Sequence, residues 1–190
     1  MKKIIVFGSE NNKHYTPEQI EKCETLGRYL ASIGAQVMTG GCKGYPYYVG
    51  RAAVKHGARV LGYTPALNLE EHIGHYNMPT DGVTELVFAT KNFPTKSENY
   101  LMRSVDMTSL SDTVIVMGGS WGSFSELVMS FMMKKTMILI EEFEGAVQAF
   151  INAHEFFGAR DVNPAVHFGT KIIRAKTVDE VIQKMSELVT

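Results

Sequence analysis

The chain has 190 residues, 45% hydrophobic and 21% charged, with a formal net charge of −1 and a pI near 6.6. That is the composition of a globular chain long enough to bury a sizeable core. It offers no basic stripe for nucleic acid or an anionic membrane surface, so neither partner is expected. The apolar runs, Thr113–Met117 and Met137–Ile140 among them, are too short to span a bilayer. Cys23 and Cys42 stand at no metal-ligand spacing, which fits a reducing cytoplasm and no metal.

Met1 to Gly8 begins like a signal peptide but lacks a long apolar stretch and a small-residue cleavage site. It reads instead as a first strand over Ile4–Phe7. Pro17 to Ile33 has helical spacing in Ile20, Cys23, Leu26, Leu30 and Ile33, with Thr16 as cap and Gly34 as stop. A second strand over Gln36–Thr39 runs into Gly40-Gly41, and a helix over Tyr45–His56 closes at Gly57. Strands follow over Arg59–Tyr63 and Val83–Ala89, then a helix over Ser97–Leu110 and a strand over Thr113–Met117. Gly122–Lys135 reads as a helix, apolar on most sides and so expected to be buried all round, in part by a second copy of the chain. A strand over Met137–Ile140, a helix over Gly145–Phe157, a strand over Lys171–Ala175 and a Thr177-capped helix to Leu188 complete the pattern. Ala66–Gly82 and Lys91–Lys96 show no regular pattern, and the acidic run Glu141–Glu144 reads as a solvated loop.

Strands separated by helices imply βαβ units. The expected fold is α/β: one Rossmann-like, doubly wound parallel sheet of six to seven strands, helices on both faces, a single domain over 1–190. Ligands bind such sheets beyond the carboxyl ends of the strands.

Three strands run directly into glycine, at Gly8, Gly40-Gly41 and Gly118-Gly119. Glycine there permits a tight turn and close approach to a ligand, and the next helix aims its free N–H groups at an anion. Any one of these glycines is equally well a plain turn residue. None fits G-x-G-x-x-G or a Walker A loop, which argues against hydride chemistry and NTP hydrolysis. The segment Met117-Gly118-Gly119-Ser120-Trp121-Gly122-Ser123-Phe124-Ser125-Glu126 offers backbone N–H groups and hydroxyls to a phosphate. Glu126 then faces either a ribose or, as half of a Ser123-x-x-Glu126 capping box, its own backbone. Trp121 stacks on a base or covers the loop. Arg103, on spacing alone, is a surface or helix-terminal ion-pair partner.

These residues resemble the LONELY GUY superfamily of phosphoribohydrolases, once called lysine decarboxylases, and its Rossmann-like relatives, the molybdenum-cofactor carrier proteins. The family's Pro-Gly-Gly-x-Gly-Thr-x-x-Glu signature is similar to Met117–Glu126, with Met117 for proline and Ser123 for threonine. Its arginine nine residues before an aspartate resembles Arg103 and Asp112, with Ser104 where the hydrolases carry lysine and the carriers asparagine. The glycine loop Gly40-Gly41-Cys42-Lys43-Gly44 also matches.

The resemblance implies an AMP-like nucleoside 5′-monophosphate held at Gly8, Ser9, Gly40, Gly41, Gly44, Gly118, Gly119, Ser120, Gly122 and Ser123. It implies Arg103 and Glu126 as a catalytic pair that cleaves the N-glycosidic bond to free base and ribose 5-phosphate, without a cofactor. It also implies a cytoplasmic homodimer or higher homo-oligomer. The alternative is a carrier that binds a nucleotide or the molybdenum cofactor without turnover.

His72-x-x-His75 lacks a third ligand at matching spacing, so no metal is expected. His14, His56, His154 and His167 read as isolated, and Cys42 as a small loop residue without a base partner.

Overall fold

The computed structural model describes residues 2–10, 15–158 and 170–187. Strands β1 (Lys3–Gly8), β2 (Gln36–Thr39), β3 (Val60–Tyr63), β4 (Glu85–Val87), β5 (Thr113–Met117), β6 (Thr136–Ile140) and β7 (Ile172–Ala175) form one sheet. Every neighbouring pair is parallel, in the order β4-β3-β2-β1-β5-β6-β7. Among the described residues seven helices accompany them: α1 (Pro17–Ser32), α2 (Tyr45–Lys55), α3 (Leu69–Gly74), α4 (Lys96–Ser109), α5 (Trp121–Met132), α6 (Ala146–Gly158) and α7 (Val178–Glu187).

Alternation along the strands divides the core in two. Ile4, Val6, Ile115 and Ile138 pack with Leu26 of α1, Val49 of α2 and Val181 of α7. Ile5, Phe7, Val114 and Val116 pack on the other face with Met107 of α4, Leu127 of α5 and Phe150 of α6. Because both faces are covered, the central strands are continuous apolar runs, as expected for a Rossmann-like parallel sheet.

The strand order positions the site. From β1 the chain steps outward to β4, returns to lay β5 beside β1, and then steps outward the other way to β7. The crossovers after β1 and β5 therefore diverge, leaving a crevice above the register pair Gly8 and Met117.

Local signals account for the helix starts. Thr16 Oγ1 accepts from Gln19 N–H at 3.2 Å and the Gln19 side chain accepts from Thr16 N–H at 3.1 Å. Thr177 Oγ1 accepts from Glu180 N–H at 3.2 Å at the start of α7.

Two expectations are corrected. The stretch Ala66–Gly82 is not devoid of helix: Asn68 caps α3, its side chain accepting from Glu71 N–H at 2.9 Å. The acidic run is a 3-10 turn over Glu141–Phe143 with Phe143 buried, not a solvated loop. The Glu142 carboxylate takes Lys22 Nζ of α1 at 2.7 Å and the Val178 N–H of α7 at 2.8 Å, so it ties two helices together. Within one chain helix α5 buries Leu127 and Phe131 and leaves Met132 66% exposed. Apolar composition alone does not reveal that neither α4 nor α6 reaches its outer strip. His14, His167 and Leu188 lie outside the described residues.

Candidate functional site

The crevice at the β1/β5 edge has a volume of about 1000 Å³. The Gly8-Ser9 turn forms one lip. The Ser9 carbonyl accepts from Tyr45 N–H at 3.1 Å and from the Tyr15 hydroxyl at 3.2 Å, which fixes it against α2. Gly44 has φ +99°, and a Cβ there would collide with the Ser9 carbonyl. Its role is to let two loops touch.

The other lip is the start of α5. Ser120 is the N-cap residue, and its side chain makes no capping bond. The first N–H groups of α5 have no intrahelical partner and carry the positive end of the helix dipole. Ser120, Trp121, Gly122 and Ser123 all line the crevice. The Ser123 hydroxyl donates to the Gly8 carbonyl at 3.2 Å, bridging the two lips.

This geometry removes the capping-box reading of Ser123 and Glu126. The helix begins before Ser123, and Glu126 does not return to its own backbone. Glu126 Oε1 accepts from the Ser104 hydroxyl at 2.8 Å and lies 3.6 Å from Arg103 Nη2. Burial pushes the Glu126 carboxyl up to about 7, against the pull of Arg103 and the Ser104 hydrogen bond, with Glu10 adding a smaller push.

Nor is Arg103 a surface residue: its side chain is 8% exposed. Nη1 donates to the Gly40 carbonyl at 3.0 Å, Nη2 donates to Ser104 Oγ at 3.2 Å, and the guanidinium lies over the Tyr100 ring at 5.2 Å. Nε is buried without a partner. An orphaned buried donor costs about 1–3 kcal/mol, and the Tyr29 and Thr108 hydroxyls share that state away from the crevice.

Gly8, Ser9, Gly40, Gly119, Ser120, Gly122 and Ser123 thus line one crevice with Arg103 and Glu126. Gly41, Gly44 and Gly118 do not. Gly41 has φ +60° and only ordinary contacts with His72 and Leu86, whereas a Cβ on Gly118 would strike the Phe143 carbonyl. Asp112 sits at the far end of β5, where Oδ2 accepts from Lys3 N–H at 2.8 Å. Glu10, Tyr100 and Ser104 line the crevice without having been singled out as site residues. Tyr100 stands one helical turn before Arg103, a spacing that would have found it. Trp121 is 85% exposed at the rim, edge-on to Phe124, and covers nothing.

The remaining candidates resolve into structure. His72 is fully buried, Nδ1 with Thr64 Oγ1 at 2.9 Å and Nε2 with the Pro79 carbonyl at 3.1 Å. His56 Nδ1 is with the Ala52 carbonyl at 2.9 Å, and His154 stacks on Phe150. Cys42 lines the crevice, but burial pushes its thiol up to about 12. Among the described residues no three His, Cys, Asp or Glu side chains are grouped to hold a metal ion. No described helix is long and apolar enough to cross a membrane.

Parallel strands that end in glycine turns over a β1/β5 crevice define the class, a Rossmann-like α/β protein. Within that class the chain belongs to the SLOG cluster4 family, whose profile matches residues 1–180. Among solved structures it is similar to TM1055, a structural-genomics target, at 22% identity and a TM-score of 0.75, covering 98% of this chain and 99% of that one. It is similar to the molybdenum cofactor binding protein of Rippkaea orientalis at 19% identity and a TM-score of 0.70, covering 100% and 98%. It also shares its fold with DNA processing protein A of Helicobacter pylori, described for its single-stranded DNA binding mode, at 17% identity and a TM-score of 0.68, covering 98% and 80%. No curated protein matches the chain in sequence. The family match is consistent with the LONELY GUY-like resemblance of the glycine turns, and the solved structures show the shared Rossmann-like fold.

Proposed function

We propose that the crevice binds a nucleoside 5′-monophosphate and that Glu126 and Arg103 hydrolyse its N-glycosidic bond, giving free base and ribose 5-phosphate. The observation that carries this reading is the buried Arg103–Glu126 pair on the crevice wall beside the open start of α5.

In this reading the phosphate rests on the N–H groups at the start of α5 and on the Ser120 hydroxyl. Ser123 turns its hydroxyl from Gly8 to join them. The ribose then lies over Glu126. The bond from C1′ to the base nitrogen breaks, and the base leaves with the electron pair. Positive charge develops on C1′ and the ring oxygen, where ionised Glu126 stabilises it. Water adds to C1′ and loses a proton, and the departing base gains one, so the reaction balances. Arg103 favours the ionised form of Glu126. We read residues 1–190 as one cytoplasmic domain that needs no cofactor. It pairs with a second copy through the exposed strip of α5.

A second reading is a carrier that holds a larger phosphate-bearing ligand without turnover. The observation favouring it is size: about 1000 Å³ lies at the upper end of the ~300–1,000 Å³ typical of small-molecule sites. The Rippkaea neighbour's description as a molybdenum cofactor binding protein agrees with it. A panel of nucleoside 5′-monophosphates, assayed for free base by chromatography, separates the two. The hydrolase reading expects release from at least one of them, reduced by about 10²–10⁴-fold in Glu126→Gln. Saturable binding with no release, unchanged in Glu126→Gln, overturns it in favour of the carrier.

A further inference from the structure

Ser104 stands where hydrolases of the resembling family carry a lysine, and its side chain makes contacts that a lysine could not. It is 3% exposed, between the two charged groups of the crevice wall. Arg103 Nη2 and Glu126 Oε1 are 3.6 Å apart, beyond hydrogen-bonding distance. Ser104 Oγ lies 3.2 Å from the first and 2.8 Å from the second. A hydroxyl has one proton to give. Arg103 can only donate, so the serine proton goes to Glu126, and the order Arg103 to Ser104 to Glu126 is fixed. Glu126 Oε2 takes no hydrogen bond among the described residues, and it is not one of the sealed, unpartnered polar atoms. It is the oxygen open to the crevice.

We propose that Ser104 is a positioning residue for Glu126: its hydroxyl relays the Arg103 hydrogen bond to Oε1 and so reserves Oε2 for the ligand. A buried ion pair at 3.6 Å would leave both partners short of hydrogen bonds. The serine converts it into two short bonds and fixes the rotation of the carboxylate. When Glu126 is protonated, the proton sits on Oε2, because Oε1 is already an acceptor. The charged and titratable groups facing Glu126 are Arg103 from α4, Glu10 after β1 and Cys42 after β2. None of these supplies the hydrogen bond to Oε1 that Ser104 gives. This role refines the proposed reaction, but the central measurement does not depend on it.

The test follows the Glu126 carboxyl by carbon-13 NMR across pH in ligand-free protein, with Glu126→Gln to assign the signal. Ser104→Ala is expected to raise the titration midpoint by about one pH unit, the effect of one hydrogen bond to a charged group. Ser104→Thr, which keeps the hydroxyl, is expected to restore it. If Ser104→Ala does not fold, Ser104→Cys takes its place, and its midpoint must rise too. A lower melting temperature with an unmoved midpoint makes Ser104 mere packing and overturns the proposal. A second arm measures turnover of any monophosphate the wild type cleaves, where Ser104→Ala is expected to lower kcat about tenfold with little change in KM. Absence of turnover in the wild type defeats the hydrolase reading and leaves the titration to decide on Ser104.

Discussion

Two loop clusters sit on the same edge of the sheet and use the same kinds of residue to opposite ends. At the β3/β4 end, His72 is fully buried and both ring nitrogens are satisfied, by Thr64 and by the Pro79 carbonyl. At the β1/β5 end, Arg103 and Glu126 are nearly as buried, yet Arg103 Nε has no partner and the carboxyl is pushed up to about 7 by burial. Burial of a polar group does not by itself separate a structural site from a ligand site. Access does: the histidine cluster is closed upon itself, whereas the Arg103–Glu126 pair lines an open crevice.

The sharpest way to break this contrast is to delete one residue from each cluster. Arg103→Met is expected to lower kcat/KM, or affinity if the site only binds, by at least about 100-fold. His72→Ala is expected to cost about 3 kcal/mol in chemical denaturation, through two lost hydrogen bonds and a cavity, while leaving crevice affinity unchanged in the folded fraction. If His72→Ala weakens ligand binding as much as Arg103→Met does, the two clusters are not distinct.

A pH series sharpens it further. Glu126 ionises near the ordinary 4.5 when unfolded but near 7 when folded. The folded chain keeps a proton that the unfolded chain releases in that window. This contribution to stability is full below pH 4.5 and is lost as pH rises through 7, by on the order of 3 kcal/mol in all. Glu126→Gln removes the dependence. Melting curves of the two proteins should differ little in their Glu126 term at pH 4.5 and separate in favour of the glutamine variant by pH 8. Parallel curves across that range would mean that Glu126 is not held out of water.

The smallest effect separates two glycines of one turn. A Cβ on Gly122 meets nothing within 4 Å, whereas Gly119 has φ +95° and a Cβ there strikes Ser123. Gly122→Ala is expected to keep the melting temperature and to weaken binding of a 5′-monophosphate about tenfold in calorimetry, a loss of ~1.4 kcal/mol. Gly119→Ala is expected to destabilise the protein itself by about 1–3 kcal/mol.

Most of the sheet was legible in the sequence, because strands buried on both faces are written as apolar runs such as Ile4–Phe7 and Thr113–Met117. The convergence of Gly8, Gly40 and Gly119 was also legible, since strand ends of a parallel sheet share an edge. What local pattern could not supply was the identity of each glycine's neighbour. Gly44 and Gly118 look like ligand glycines but are needed by Ser9 and Phe143, both distant in the chain, and Gly41 is suited to its own positive φ. Ser104 looked like a missing cation because a hydroxyl's partner, Glu126, lies on another helix. The acidic turn looked solvated because Lys22 and Val178 are remote in sequence.

The pairing of Gly8 with Met117 also sets a timetable for synthesis. By the time α4 is made, the chain already holds β1 to β4 and carries Gly8, Ser9, Gly40 and Arg103. Yet one edge of β1 still has no neighbour, and α5 is not yet made. Such an edge is a hazard until β5 covers it. The two lips of the crevice are therefore made far apart in time, and the second arrives with the very strand that removes the exposed edge.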